Sequence, residues 1–151
     1  MHAHALIFAC VFATLYAAHH IGDQWIQTHT QACTKGNTDR AGRLACARHV
    51  LTMTITKVVA LLITTAVLGL HISAGFTALA LALDAASHYW ADRRTTLAKL
   101  AALVHKADYY RLGTPRPGRD DNPTTGTGAF HLDQAWHIAW IWITALIIAA
   151  A

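Results

Sequence analysis

The sequence predicts an all-α fold: a four-helix transmembrane bundle with a cytoplasmic amphipathic helix between spans three and four. Three observations lead there. Hydrophobic residues fill 54% of the 151 positions and charged residues only 13%, against about a quarter charged in a soluble domain. The mean hydropathy is correspondingly positive, at +0.32. Four apolar stretches reach the roughly 20 residues that a helix needs to cross a hydrocarbon core of about 30 Å. Every Lys and Arg except Lys57 lies in or beside two long polar segments, which is the charge pattern of cytoplasmic loops.

In chain order, the first span covers about 3–22. Its start, MHAHALIFAC, lacks the positively charged leader of a secretory signal. The apolar run continues into His19, His20 and Asp23, so the segment reads as a retained span. A polar loop covers 24–47. Span two covers about 48–70 around VVALLITTAVLGL, and a turn at His71, Ser73 and Gly75 leads into span three, about 72–92. The second long loop covers 93–130. Within it, TTLAKLAALVHKADYYRLG places Leu97, Leu100 and Val104 on one helical face. That helix suits the headgroup zone, with Tyr109 and Tyr110 as anchors, or a cap packed on the loop. A connector rich in turn formers, GTPRPGRDDNPTTGTG, leads to span four at about 131–151.

The chain therefore reads as a single integral membrane domain over 1–151 in the inner (cytoplasmic) membrane, with the lipid bilayer as its first partner. Four spans place both long loops on one side. Their Lys and Arg make that side cytoplasmic and put both termini outside. Because the basic residues flank apolar spans, they set topology and do not mark a nucleic-acid partner. Cys10, Cys33 and Cys46 form no CxxC pair, so neither a disulfide framework nor a thiol redox motif is implied. Oligomeric state leaves no signal in the sequence.

The functional signal lies in the polar residues of the apolar stretches. Asp84, His88 and Asp92 recur every four residues in LALALDAASHYWADRR and share one helical stripe. His19 with Asp23 and Asp133 with His137 repeat the four-residue spacing on two other spans. Ionisable groups inside a membrane are costly, so such stripes mark function. Spans one and three end at the cytoplasmic face and spans two and four begin there, which brings these residues, with His49, to one end of the bundle. An outer layer holds Asp23, His49, Asp92 and Asp133. A layer about 6 Å deeper by the helical rise holds His19, His88 and His137.

Imidazoles beside carboxylates are the ligand chemistry of a divalent first-row ion, zinc above all, with iron or manganese as alternatives. The expected metal ligands are His19, His49, His88 and His137 with Asp23, Asp92 and Asp133. These three carboxylates either ligate, orient a His N–H, or act as general base. A hydrogen-bonded structural or proton-relay network and a haem held by facing His are the rival readings. Deeper still, Lys57 lies eight residues from His49 and Asp84 eight residues from Asp92. The matched depth predicts a buried ion pair. His2, His4, His29, His71, His105 and His131 read as solvated. Trp136, Trp140 and Trp142 read as packing or lipid-facing, Trp25 and Trp90 as interfacial. Arg93 and Arg94 read as topology signals that would also suit an anionic lipid headgroup or a phosphorylated substrate.

The segments HHIGDQWIQT, RHV, SHYWADRR and LDQAWH together resemble an uncharacterised family of small multi-pass membrane proteins from bacteria and their phages, a domain of unknown function. The family pattern is matched by His19, Asp23 and Gln27, then His49, then His88 and Asp92, then Asp133, Gln134 and His137; His20 has no place in it. The motifs are also similar, more loosely, to those of membrane-bound metal-dependent hydrolases. An Ala-, Thr- and Arg-rich, Lys-poor composition suits a GC-rich actinobacterium or its phage. The expectation is thus a cytoplasm-facing His/Asp metal site, with metal-dependent hydrolysis of a lipid-linked or phosphorylated substrate as its enzymatic form. The alternative is a non-enzymatic module: a small transporter, proton relay or phage membrane factor.

Overall fold

Each long apolar run forms one helix, and capping residues set the limits. A computed structural model describes residues 2–114 and 126–151, so most of the turn-rich connector, with Arg116 and Arg119, lies outside the described residues. Helix α1 covers His2–Ile21 and continues through a π-helical turn, Gly22–Ile26. The short α2, His29–Thr34, opens on a reciprocal capping box between Thr28 and Gln31. Helix α3 covers Arg40–Leu68. Its N-cap is Asp39, whose carboxylate accepts from the Gly42 N–H at 2.7 Å, and it ends where Gly69 turns left-handed at φ 64°. Helix α4 is Ala74–Asp92, and α7 is Gly128–Ala149, capped by the Thr127 side chain.

The expected surface helix between α4 and α7 is two short helices, α5 at Thr95–Leu103 and α6 at Ala107–Arg111. The break falls at His105, which adopts φ 59°. Because α5 ends there, Val104 leaves the face on which Leu97 and Ala101 are buried. Helix α3 likewise starts eight residues ahead of the expected span over 48–70, the extra turns carrying Arg40 and Arg43.

The fold is all-helical among the described residues. Among the described residues, three segments are long and apolar enough to cross a membrane: Ala3–Ile26, Arg40–Leu68 and Gly128–Ala149. Helix α4 falls outside that set because Asp84, Ser87, His88 and Asp92 dilute its apolar character. It nonetheless packs against α7 and α3, which in turn pack against α1. Val11, Leu15, Leu61, Ala80, Leu81, Ile141, Ala145 and Ile148 make the shared apolar core. Ala80 and Ala145 are fully buried, and such small residues let helix backbones approach closely. Outside the core, α3 exposes Leu51, Ile55, Val58, Val59, Leu62, Ile63 and Val67. An aliphatic face of that length suits lipid and not water.

Candidate metal centre

The polar stripes of α1, α3, α4 and α7 meet at one end of this core. His19, His49, His88, Asp92 and His137 are all buried, and Asp23 and Asp133 are partly so. Asp23 lies in the π-helical turn, closed by the Gln27 N–H donating to the Gly22 carbonyl at 2.9 Å. Such single turns are frequent at functional sites because the added residue redirects a side chain. Gly22 also brings this turn hard against α3: a Cβ there would lie 2.6 Å from the Met53 side chain. Met53 is one turn beyond His49, so the close approach delivers the His49 ring to Asp23.

The distances define one cluster and not two layers. His49 Nε2 is 3.0 Å from Asp23 Oδ1 and 3.3 Å from Asp92 Oδ2. His88 Nε2 is 3.3 Å from Asp92 Oδ2 and 3.1 Å from His49 Nε2. His19 Nε2 lies 3.4 Å from Asp23 Oδ2. His137 Nε2 lies 3.7 Å from Asp92 Oδ1 and 3.5 Å from Asp133 Oδ1. The expected layers merge because helical side chains lean toward the N-terminus of their own helix. Asp92 leans inward from the end of α4, while His137 leans outward from the start of α7.

Many of these contacts are close without being aligned hydrogen bonds. Both His19 nitrogens, His137 Nε2, Asp23 Oδ1 and Asp92 Oδ2 are buried with no hydrogen-bond partner. Buried polar atoms normally find one, so lone pairs crowding together unmatched are what a cation site requires. Two donor sets, Asp23/His49/His88 and His88/Asp92/His137, each have their ligand atoms within 4.8 Å of one another.

Beside the cluster lies a cavity of about 380 Å³, lined by Asp23, Asp92, Asp133, Lys35, Arg94 and Tyr110 among others. Lys35 is a participant that sequence reasoning missed: its ammonium lies 2.9 Å from Asp92 Oδ1. No periodicity announces a loop lysine. Gln134 Nε2 donates to Asp23 Oδ2 and Asp133 Oδ2, each at 3.4 Å. Burial and the Asp133 carboxylate push the Tyr110 phenol above its ordinary range, and its hydroxyl donates to the Arg94 carbonyl at 3.3 Å. Arg93 and Arg94, read from the sequence as topology signals, also hold the α2 segment. Arg93 donates to the carbonyls of Lys35 at 2.6 Å and of Asn37, and Arg94 to that of Ala32 at 2.9 Å.

Deeper in the core, Lys57 Nζ lies 2.5 Å from Asp84 Oδ2, with both side chains nearly inaccessible. His20 stays outside the cluster, near Tyr16 and Gln24. His29 and His131 are exposed and do not reach it. His4, expected to be solvated, is exposed, with its Nδ1 2.5 Å from the Ala149 carbonyl oxygen. Trp136 packs on Trp90 and donates to Ser87 Oγ at 2.8 Å, tying α7 to α4.

A helical, membrane-associated protein with a buried His/Asp cluster at one end of its packed helices is the class these features define. Within it, the chain belongs to the family described as protein of unknown function DUF3307, whose model matches residues 11–151. No curated protein and no solved structure matches the chain.

Proposed function

We propose that this protein crosses the inner membrane four times and holds a divalent metal ion, zinc foremost, in its His/Asp cluster at the cytoplasmic side. Its enzymatic form is metal-dependent hydrolysis of a lipid-linked or phosphorylated substrate. One observation carries the reading: four imidazoles and the Asp23 and Asp92 carboxylates converge in the interior, and among the described residues His19, His137, Asp23 and Asp92 keep nitrogens or oxygens that no hydrogen bond satisfies. A bound divalent ion lowers the pKa of water to about 7 and polarises a phosphoryl oxygen. Asp133, a quarter exposed at the cavity wall, would take the proton. Lys35 and Arg94 give the same cavity its positive side.

The test is elemental analysis and an absorption spectrum on the protein purified in mild detergent. Near-stoichiometric zinc, iron or manganese without a Soret band supports the reading. His88→Ala should lose that metal while far-UV circular dichroism stays helical; unchanged metal content would sink it. The haem alternative draws nothing from this packing, since the His88 and His137 rings stack directly at 3.9 Å between centroids. The Lys57–Asp84 pair favours the second reading, a non-enzymatic module in which the polar column relays protons or holds the helices together.

Orientation has its own check. Cys33 is exposed in the α2 segment. With Cys10 and Cys46 replaced by Ala, a membrane-impermeant maleimide should label Cys33 in inverted vesicles and not in intact spheroplasts. The reverse pattern would overturn the cytoplasmic assignment of the 24–47 loop.

A further inference from the structure

We propose that the cluster is built for two metal ions bridged by the carboxylates of Asp92 and Asp23. This rests on the metal-site reading above and states how many ions that site holds and how its ligands divide.

The donor count comes first. Four imidazoles and three carboxylates face one another, whereas a single zinc or comparable first-row ion is satisfied by about four to six donors. The second argument is how the carboxylate oxygens divide. Asp92 turns Oδ2 toward His49 and His88, each 3.3 Å away, and Oδ1 toward His137 at 3.7 Å. Asp23 turns Oδ1 toward His49 at 3.0 Å and Oδ2 toward His19 at 3.4 Å. Each carboxylate therefore offers one oxygen to a His49/His88 half and the other to a second half. That half is His137 for Asp92 and His19 for Asp23, whose rings lie 5.1 Å apart between centroids, with His88 also in the donor set of Asp92 and His137. A carboxylate spanning two centres in this way is a bridge, and ions so bridged sit about 3.5–4 Å apart.

The unmatched atoms fall in both halves. Asp23 Oδ1 and Asp92 Oδ2 belong to the first, and the ring nitrogens of His19 with His137 Nε2 belong to the second. One ion in the first half would leave the second still unmatched. Asp133, 3.5 Å from His137, completes the second half on its cavity side. Lys35 does not block this arrangement, because a carboxylate oxygen has lone pairs for both an ammonium and a metal. Three carboxylates and Lys35 sum to −2, so one divalent ion gives a neutral centre and a second leaves +2. That surplus suits hydroxide together with a phosphoryl group, whose attacking and leaving oxygens a two-ion site clamps.

The probe is manganese(II), loaded to saturation into the purified full-length protein and read by elemental analysis and EPR. Two ions per chain with an exchange-coupled spectrum are expected. The His137→Gln and His19→Gln variants should each fall toward one ion and lose the coupling, with the His49/His88 half still occupied. One ion per wild-type chain, or two without coupling, would overturn the bridge and leave the metal reading standing. No bound manganese, with no zinc or iron either, would overturn both.

Discussion

Lys57→Met is expected to destabilise the protein by about 3–5 kcal/mol, the cost of leaving one member of a buried ion pair without its partner. Asp84 is 4% exposed and Lys57 is 1% exposed, so neither charge reaches solvent once the other is gone. The double replacement Lys57→Met, Asp84→Leu should recover most of that loss or exceed the wild type, because apolar packing often matches a buried pair in stability. Unfolding in detergent, followed for both single variants and the double, gives the coupling between the two sites. If the double variant proves as unstable as the single ones, the pair is not the source of the effect. If it is stable and inactive in whatever function is found, the pair belongs to the working column and not merely to the scaffold.

The second large effect is expected at Asp92. This carboxylate reaches His49, His88, His137 and Lys35, and with Asp23 it is one of the two most connected residues of the centre. Asp92→Asn keeps the shape and removes the charge. It should weaken metal retention by at least about 100-fold, the upper range for losing a carboxylate that only orients a metal-bound His. Competition with a chelator of known affinity reads this directly. Retention within about threefold of wild type would place Asp92 outside the metal's surroundings and return it to structural hydrogen bonding. Because Lys35 loses its carboxylate partner too, proteolysis of the α2 segment should quicken in the same variant.

Much of the centre was legible because helices convert spacing into position. The four-residue steps on three apolar stretches specify stripes, and the rise per residue brings them to one end. The eight-residue offsets of Lys57 and Asp84 specify equal depth in the same way. What escaped depended on features without a period. The π-helical turn at Gly22–Ile26 has no local signature, yet it aims Asp23. Lys35 arrives from a short helix whose capping box could be read, but whose docking against the end of α4 could not. The early start of α3 was announced by Asp39, an N-cap residue, and hidden by Arg40, Arg43 and Arg48, which keep a hydropathy window low over a segment that is already helical. The break at His105 follows a backbone conformation that nothing in LVHKAD demands.

Gln134 reaches back to Asp23 across 111 residues of sequence, and His137 and Asp133 come from the last helix. The centre is thus assembled from the two ends of the chain and cannot exist on a ribosome-bound fragment that stops before α7. On the proposed reading, a cation held there would report that α7 has docked. Chains in which α7 fails to dock would keep Asp23 and Asp92 in their interior without the Gln134 and His137 side chains that face them.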